Sequence, residues 1–529
     1  MTVEGLFFCI VLCVAMWIAF FVFSLKKARS FISNSNKKYP LWLSIIVEML
    51  SSIACVISAM TVYDSITNQH QLNLLAVFLA VISLIILSSL VIYHTFKYRK
   101  RTEIMFLTYM IPVGIVYMFL LYPDFIPDEF CHFMRAFKTS MLDLSPSGTG
   151  AVYGEYVNRS IGNVHDLLKS FYFGADTTLN VKFDAACSYN FIIYIIPALG
   201  LFIGRILHFS IYISYYLGRI FNFSLFLFFG YEAIKITPKF KWLFFVFYFN
   251  PMMIQLGISY SCDIWVNSFC VLAVAYFFYL YEKDQIDVRD IYVVMGMIAA
   301  VLIAKYVYFT VFGIYIILIP KLLRMPHKNW LHFGIGAAGA LCLFFFSMKY
   351  TSLGGQIPSI EDYVETMGVD AGKQISWLLE NPFRIIHMYG STLINMMPFY
   401  ISSFVSDLGW LELSINMFSF FGFYILLFTT MCFETEKMHR GQRVWVIIVG
   451  LLLCAFIVLG LFLNWTPVGT VVTLGVQGRY FIPAALLLLI GMSNQLLKKI
   501  PNQDLICIAA VIAIQLPVMI DLMNFANII

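Results

Sequence analysis

The chain has 529 residues, of which 61% are apolar and only 12% are charged. Soluble domains carry about 25% charged residues, so this chain has too little polar surface to cover a water-soluble globule. A mean hydropathy of +0.84 points the same way. The composition excludes a soluble enzyme and a nucleic-acid-binding protein, and it predicts an all-α, polytopic membrane protein. None of the 11 cysteines forms a CxxC pair, so neither a zinc site nor a disulfide framework is predicted.

Apolar stretches long enough to cross a bilayer recur along the whole chain. A spanning helix needs about 20 mostly apolar residues, and Lys and Arg collect in cytoplasmic loops. Placing every basic cluster inside predicts spans at 6–24, 41–63, 73–96, 104–122, 211–234, 241–261, 263–281, 330–348, 412–433, 443–463, 480–497 and 504–522. Between 291 and 320, two shorter apolar stretches flank Lys305, and we predict a thin or re-entrant pair with Lys305 near its outer tip. The prediction is therefore about 12–14 elements, with both termini outside.

Three regions remain on the outer side of this topology: 123–210, 349–411 and 464–479. The first two are too long for simple connectors. They contain amphipathic stretches such as 194–205, which we predict to lie in the membrane interface. The predicted organisation is an N-terminal three-helix extension (1–103), a central transmembrane module with these outer loops (104–497) and a C-terminal transmembrane helix (498–529).

The segment after the fourth span carries the strongest chemical signal. Its sequence, PDEFCHFMR, runs from Pro127 to Arg135 and puts two adjacent acids, Asp128 and Glu129, at the outer membrane surface. Pro127 ends the preceding element, and Asp128 is placed to cap a new helix. On that helix Glu129, His132 and Arg135 recur at a spacing of three and share roughly one face. Such a group suits a general base or donor binding, and the alternative is an ordinary helix start with acids favoured by the dipole.

A second signal, GVQGRY at residues 475–480, lies at the outer mouth of a late span. Arg479 offers a permanent charge and a planar fork suited to phosphate. The flanking glycines let a ligand approach the backbone closely. Gln477 and Tyr480 stand beside it as candidate substrate contacts. The alternative is an interfacial arginine that extends to water beside a tyrosine of the aromatic belt.

Other charged residues lie near the hydrocarbon. Asp263 falls at a tight outer turn between two spans, where an acid is expensive and points to function, although a solvated turn explains it equally well. Lys305 is a cation inside a thin membrane element. Arg205 and Arg219 flank the end of the first outer loop, and either binds a lipid phosphate or anchors the chain. Glu48 is interpreted as a structural contact. The histidines lack metal-ligand spacing, so neither a metal nor a cofactor is predicted.

In their order along the chain, these landmarks resemble a large family of bacterial polytopic membrane proteins with PDExxH and QGRY motifs. That family is assigned to the GT-C superfamily of glycosyltransferases, which use polyprenyl-phosphate-linked sugars. The PDExxH signature matches residues 127–132. The later matches are IPALG at 196–200, GR at 204–205, LGRIFN at 217–222, SCD at 261–263, AKYVY at 304–308, LGWL at 408–411 and QGRYFIP at 477–483. The resemblance covers about residues 104–497, and it departs from the family at Phe130 and Tyr306, where proline is frequent.

The resemblance implies a GT-C-like catalytic role for the central module. In GT-C enzymes an acid of the first large outer loop is the catalytic base. Carried onto this sequence, that residue is Asp128, with Glu129 as its neighbour or substitute. The base takes a proton from an acceptor hydroxyl, which displaces polyprenyl phosphate from the sugar with inversion. The candidate cations around that phosphate are Arg479, Lys305, Arg205 and Arg219. The candidate contacts to the substrates are His132, Arg135, Asp263, Gln477 and Tyr480.

The implied partners are a polyprenyl-phosphate sugar donor, a cell-surface glycan acceptor and the lipid bilayer. The resemblance also implies a bacterial cytoplasmic membrane, with the site on its outer face. Two other functions use similar lipid-linked substrates: a glycan polymerase or ligase, and a flippase. The flippase is disfavoured because the charged candidates gather at one face and no matched pair of broken helices is visible. A non-catalytic scaffold in surface-glycan assembly is the remaining alternative.

Overall fold

The structure, a computed structural model, describes residues 40–67, 72–123, 125–145, 149–153, 178–182, 189–350, 366–433, 438–497 and 500–526. The predicted span 6–24 lies outside the described residues. The helices, in chain order, are α1 Leu41–Thr67, α2 Leu74–Lys97, α3 Thr102–Leu120, α4 Glu129–Ser140, α5 Ile195–Ile206, α6 Ile211–Ile236, α7 Lys241–Tyr248, α8 Pro251–Gly257, α9 Asp263–Glu282, α10 Val288–Ala304, α11 Ile319–Leu322, α12 His327–Met348, α13 Ala371–Glu380, α14 Phe383–Val405, α15 Met417–Thr430, α16 Arg440–Trp465, α17 Ile482–Met492 and α18 Gln503–Phe525.

Little of the described chain is other than α-helical. Three 3-10 helices run directly into α5, α11 and α17, and they are Phe191–Tyr194, Tyr306–Leu318 and Gly478–Phe481. Within the described residues, two small antiparallel sheets pair β1 (Thr149–Tyr153) with β2 (Thr178–Lys182) and β3 (Asp407–Leu408) with β4 (Leu413–Ser414). The predicted all-α class is therefore confirmed.

Eight helices of the described residues are long and apolar enough to cross a membrane. They are α1, α2, α3, α6, α9, α12, α16 and α18. The chain is thus a multi-pass membrane protein. Among the described residues, several other predicted spans are short or broken helices. Shorter apolar helices occupy Phe191–Ile206, Tyr306–Leu322, Met417–Thr430 and Gly478–Met492.

The predicted span 241–261 is two helices, α7 and α8, because the backbone turns at Asn250-Pro251. Proline cannot donate the N–H that a continuous helix needs. Asn250 restarts the chain as the N-cap of α8, since its side-chain oxygen accepts from the N–H of Met252 at 2.9 Å. Its amide nitrogen donates to the carbonyl of Phe404 at 2.9 Å. The break therefore fastens the end of α14 to the membrane core.

The predicted pair between 291 and 320 consists of α10 and the 3-10 helix Tyr306–Leu318, with Lys305 at the junction. Lys305 has an extended backbone (φ −147°, ψ 98°) and forms the C-cap of α10. A 3-10 helix rises about 2.0 Å per residue against 1.5 Å in an α-helix, so 13 residues of 3-10 helix reach as far as a longer α-helix. The short apolar stretch can therefore still extend deep into the bilayer.

Close backbone contact fixes α5 against α6. A Cβ on Gly200 would lie 2.6 Å from the carbonyl oxygen of Leu217, and one on Gly204 would lie 2.4 Å from Oγ of Ser214. Helices in a bilayer gain little from the hydrophobic effect and associate through close packing, for which small residues four apart are suited. The two glycines therefore let α5 lie directly on α6, which carries Arg219.

Glu48, interpreted from the sequence as a structural contact, has a partner on the next helix. Its Oε2 lies 3.1 Å from Nδ1 of His94, and both side chains are fully buried between α1 and α2. Nε2 of His94 lies 2.9 Å from Oγ of Ser44. The pair joins the first two described helices near one end of each.

We expect Gly200→Ala to destabilise the protein, because its new methyl group meets backbone atoms that cannot turn aside. Overpacking of this kind costs about 1–3 kcal/mol. Gly296→Ala is the matched control, since a Cβ there has nothing within 4 Å and alanine is the better helix former. Thermal unfolding of the detergent-purified variants measures both. Equal stabilities for the two variants would contradict the packing argument.

Candidate functional site

Four charged side chains from distant parts of the chain meet in one place. They are Asp128, Asp263, Lys305 and Arg479, here called the charged cluster. Each stands at the end of a helix: Asp128 precedes α4, Asp263 begins α9, Lys305 follows α10, and Arg479 lies in the 3-10 helix Gly478–Phe481. Both acids lie at helix N-termini, where the helix dipole favours negative charge.

The cluster is a buried chain of charges with one carboxylate open to solvent. Nζ of Lys305 lies 2.5 Å from Oδ1 of Asp263. Arg479 lies 3.8 Å from both acids, through Nε to Oδ2 of Asp263 and through Nη2 to Oδ2 of Asp128. The side chain of Asp128 is 62% exposed, whereas those of Asp263 and Arg479 are 8% and 5% exposed. Asp128 is therefore the acid that an incoming molecule can reach.

Arg479 is held by the close approach of its segment to α14. A Cβ on Gly478 would lie 2.2 Å from the carbonyl oxygen of Tyr400 and 2.3 Å from the N of Phe404. The N–H of Gly478 donates to Oγ of Ser403 at 2.8 Å. Only glycine fits here, and the backbone contact leaves the arginine directed at the two acids.

Two buried polar atoms in the segment that carries Arg479 have no hydrogen-bond partner among the described residues. They are Nε of Arg479 and Oε1 of Gln477. A buried polar group left without a partner costs about 1–3 kcal/mol. Because one is a donor and the other an acceptor, they are suited to a ligand with both an anionic group and a hydroxyl.

Asp128 has an unusual backbone for a residue other than glycine. Its φ is 61°, in the left-handed region, which aspartate tolerates better than most residues. It occupies the N-cap position of α4, but its side chain makes no capping hydrogen bond. The carboxylate is thus not used to start the helix, which was the structural alternative for this residue.

Glu129 and Arg219 form a fully buried ion pair that fixes the turn between α3 and α4. Nε and Nη2 of Arg219 donate to the two carboxylate oxygens at 2.9 and 2.5 Å. The other donors reach the carbonyls of Met118, Leu121 and Tyr122, at 2.9, 2.5 and 3.0 Å. All five N–H groups of the guanidinium are used, so Arg219 has none left for a donor phosphate. Both side chains are fully buried, and this placement indicates a positioning role for the pair.

Arg135 and Arg205, two predicted ligand contacts, are not brought to the charged cluster. Arg135 is buried and donates to the carbonyls of Ser145 and Tyr350 at 2.6 and 3.2 Å. Arg205 donates to the carbonyl of Ser140, at the far end of α4, at 3.1 Å. With a rise of about 1.5 Å per residue, that end lies about 16 Å from Glu129. Residues three apart on an α-helix differ in direction by about 60°. Glu129 and Arg135 are two such steps apart, so their side chains point in directions about 120° apart.

His132 lies among aromatic side chains next to the cluster. Its Nδ1 is 2.6 Å from the hydroxyl of Tyr194, and its ring lies 5.6 Å from that of Tyr189. Burial lowers the pKa of His132 to about 3; Asp263 opposes the shift, while Lys305 and Arg479 add to it. His132 is therefore neutral at physiological pH and offers a hydrogen bond rather than a charge.

Two tyrosines enclose the ammonium group of Lys305. Nζ lies 5.6 Å from the ring centre of Tyr189 and 5.1 Å from that of Tyr480. Cation–π contacts of this kind stabilise a cation that has lost part of its water. Tyr480, predicted as a substrate contact, is therefore part of the site. Tyr189 was missed, because the residues around it carry no motif and only the fold brings them to Lys305.

A cavity of about 320 Å³ opens beside Lys305 and the same two tyrosines. Its walls are mostly apolar. They include Leu302, Ile303, Val307, Phe344, Met348, Ile457 and Leu461. The site thus joins an apolar space to a pair of cations and an exposed acid. Among the described residues, no group of three or more His, Cys, Asp or Glu side chains is arranged to hold a metal ion.

Comparison with known families gives a match to a family of membrane proteins. Residues 111–488, well over half of the chain, match a family described as "Predicted membrane protein (DUF2142)". The matched range contains the charged cluster and the Glu129–Arg219 pair, and it leaves out α1 and α2. No curated protein and no solved structure matches the chain.

We expect Glu129→Gln to destabilise the protein strongly, because it leaves the buried guanidinium of Arg219 without its counter-charge. Breaking one side of a buried pair costs about 3–5 kcal/mol. The control is Glu380→Gln, which breaks a 2.9 Å pair with Arg384 at a position that is 67% exposed. Surface pairs contribute about 0–1 kcal/mol. Thermal unfolding in detergent separates the two, and a Glu129→Gln protein as stable as the control would rule out the positioning role.

Proposed function

The chain belongs to the DUF2142 family of predicted membrane proteins, and we propose that it is a GT-C-type glycosyltransferase of a bacterial cytoplasmic membrane. It transfers a sugar from a polyprenyl-phosphate donor to a cell-surface glycan acceptor on the outer face, with inversion. The observation that carries the proposal is one exposed carboxylate, Asp128, 3.8 Å from the buried Arg479. Arg479 in turn shares Asp263 with Lys305.

Asp128 is the general base. Its exposed carboxylate takes the proton of an acceptor hydroxyl while that oxygen attacks the anomeric carbon of the donor sugar. A positioned base of this kind contributes about 10²–10⁴-fold to a rate. The bond from the anomeric carbon to the phosphate oxygen breaks with both electrons on the phosphate. Attack from the opposite side inverts the configuration at that carbon.

Arg479 and Lys305 stabilise the phosphate that leaves. Polyprenyl phosphate gains negative charge as it departs, so it needs fixed positive charge more than a proton. Arg479 offers a planar fork and Lys305 a compact charge. Both groups are largely shielded from water, where their attraction for an anion is stronger than in bulk solvent.

Asp263 keeps the two cations in place before the donor arrives. Two cations side by side repel each other, and Asp263 lies between them, 2.5 Å from Lys305 and 3.8 Å from Arg479. These three residues together carry one net positive charge, so an anionic donor is attracted to them. Gln477 and His132, both neutral, are suited to hydrogen bonds with sugar hydroxyls.

The apolar cavity accommodates the first part of the lipid chain. It lies directly beside Lys305, so a phosphate bound at Lys305 and Arg479 has its hydrocarbon chain at the cavity entrance. Glu129 and Arg219 hold the turn that carries Asp128, and Arg135 and Arg205 fasten the loop at the other end of α4. We assign these four residues to positioning rather than to ligand binding.

We expect Asp128→Asn to abolish transfer of one sugar while the protein still folds, because the amide keeps the shape but accepts no proton. The control is Asp143→Asn, an acid that is 52% exposed and follows α4 in the same outer loop. Linkage analysis of the surface polysaccharide in the native strain, at matched protein levels, measures the effect. Loss of one sugar from an otherwise intact polymer supports the proposal and identifies the sugar.

The other outcomes of this comparison are equally informative. An unchanged polymer in the Asp128→Asn strain would remove Asp128 as the base and with it the proposed mechanism. Loss of the entire polymer would favour a polymerase, a ligase or a flippase, since these act on the whole lipid-linked glycan. The Asp143→Asn strain is expected to match the wild type.

We expect Gly460→Leu to raise the KM for donors with a long lipid chain more than for donors with a short one. Gly460 lines the cavity, and a Cβ there has Val307 as its nearest contact at 3.8 Å, so leucine fills space rather than breaking the fold. Crowding of a bound chain costs about 1–3 kcal/mol, which raises the KM for a long-chain donor about tenfold. A donor with a very short lipid is expected to be little affected. Gly296→Leu, away from the cavity, is the control, and equal effects on both donors would place the lipid elsewhere.

A further inference from the structure

α14 is a long helix with almost no charged residues. It is not among the eight long, apolar candidate spans. It has 23 residues, Phe383–Val405, which corresponds to about 34 Å. Arg384 is its only charged residue, and no Lys, Arg, Asp or Glu occurs from Ile385 to Val405. The helix therefore has no charged face with which to meet water.

The two faces of α14 differ sharply. One face is buried against the protein and includes Met388, Thr392 and Ser403. The opposite face presents large apolar side chains that the described residues leave at least 38% exposed. These are Ile386, Leu393, Ile394, Met397 and Ile401, with Ile394 79% and Ile386 70% exposed. Their spacing of seven, eight, eleven and fifteen residues from Ile386 keeps them on one side of a helix.

Contacts with α16 set the depth of this face. The hydroxyl of Tyr389 donates to the carbonyl of Ala455 at 2.9 Å, and Met388 packs in one cluster with Val458 and Phe462. In the orientation that the basic clusters predict, α16 rises from the inner surface at Arg440. Ala455 is then about 22 Å along it, in the outer half of a hydrocarbon core about 30 Å thick.

The buried face of α14 supports the charged cluster. Ser403 binds the N–H of Gly478, and the backbone of α14 leaves no room for a side chain on that glycine. The next residue is Arg479. A single helix therefore carries, on one side, an apolar face that is exposed among the described residues and, on the other, the backbone support of Arg479.

We infer that the exposed face of α14 lies against the acyl chains of the outer leaflet, and that this contact holds the Gly478–Arg479 segment in place. The occupant is lipid because α14 contacts the membrane span α16 at Ala455, and Leu451, Leu452 and Phe456 on the neighbouring turns of that span are exposed as well. The surface of a soluble protein rarely exposes a row of large apolar side chains like that on α14 to water. The inference does not depend on the proposed transferase activity.

A photo-crosslinking amino acid, p-benzoyl-phenylalanine, at Ile394 tests the contact. The full-length protein is reconstituted in vesicles of phosphatidylethanolamine and phosphatidylglycerol, irradiated and examined by mass spectrometry. The control position is Lys373 on α13, which is 77% exposed but charged. We expect about tenfold more phospholipid adduct from position 394 than from position 373, as for a side chain among acyl chains. Equal adduct from both positions, or a crosslink from position 394 to a second copy of the chain, would overturn the inference.

The support of Arg479 is tested by its reaction with phenylglyoxal, which modifies accessible guanidinium groups. The side chain of Arg479 is 5% exposed in the structure, so in the reconstituted protein it should react slowly. We expect Ile394→Asp, which drives this face out of the hydrocarbon, to raise modification at Arg479 several-fold, while Ile394→Leu leaves it unchanged. Modification of Arg384, whose side chain is 30% exposed, serves as the reference in each sample. An Ile394→Asp protein with unchanged modification at Arg479 would show that lipid contact does not hold this segment.

Discussion

The site depends on one buried interaction, the ion pair between Glu129 and Arg219. Two charges inside a membrane protein are tolerable only when every donor and acceptor is satisfied. Here the guanidinium uses two donors on the carboxylate and three on backbone carbonyls at the end of α3. The carbonyls that a helix end leaves unpaired are thereby satisfied. The turn cannot relax without exposing a buried charge, so Asp128 remains in a left-handed conformation with its carboxylate outside.

Because of this arrangement, the two neighbouring acids have different roles. Asp128 and Glu129 are adjacent in the sequence, yet one is 62% exposed and the other fully buried. A fully buried acid whose oxygens already accept from arginine cannot be reached by a substrate, whereas an exposed acid beside an arginine can meet both an acceptor hydroxyl and an anionic donor. The cations of the cluster are similarly divided: Arg219 binds protein only, while Nε of Arg479 has no hydrogen-bond partner among the described residues.

Several sequence predictions depend on local chemistry and describe the structure well. Lys305 interrupts an apolar stretch, and the helix does end there, since a cation is costly along the length of a membrane helix. Other predictions failed for a local reason as well. The predicted span 241–261 is broken at Asn250-Pro251. Hydropathy did not reveal this break, because it does not take account of the N–H that proline lacks. The expected shared face of Glu129, His132 and Arg135 does not form, because a three-residue spacing drifts around a helix and each side chain finds a different partner.

The sequence by itself determined the all-α membrane class, because a shortage of charge and long apolar stretches leave no other way to satisfy the backbone. It also marked the acids and cations that stand at helix ends. Only the tertiary structure decided which of them meet. Glu129 finds Arg219 across 90 residues, and Asp263 finds Lys305 across 42. Such pairings are set by helix packing, in which glycines such as Gly200 and Gly478 determine how closely two backbones approach. No periodicity along the chain encodes those distances, so the separation of structural from accessible charges became visible only in three dimensions.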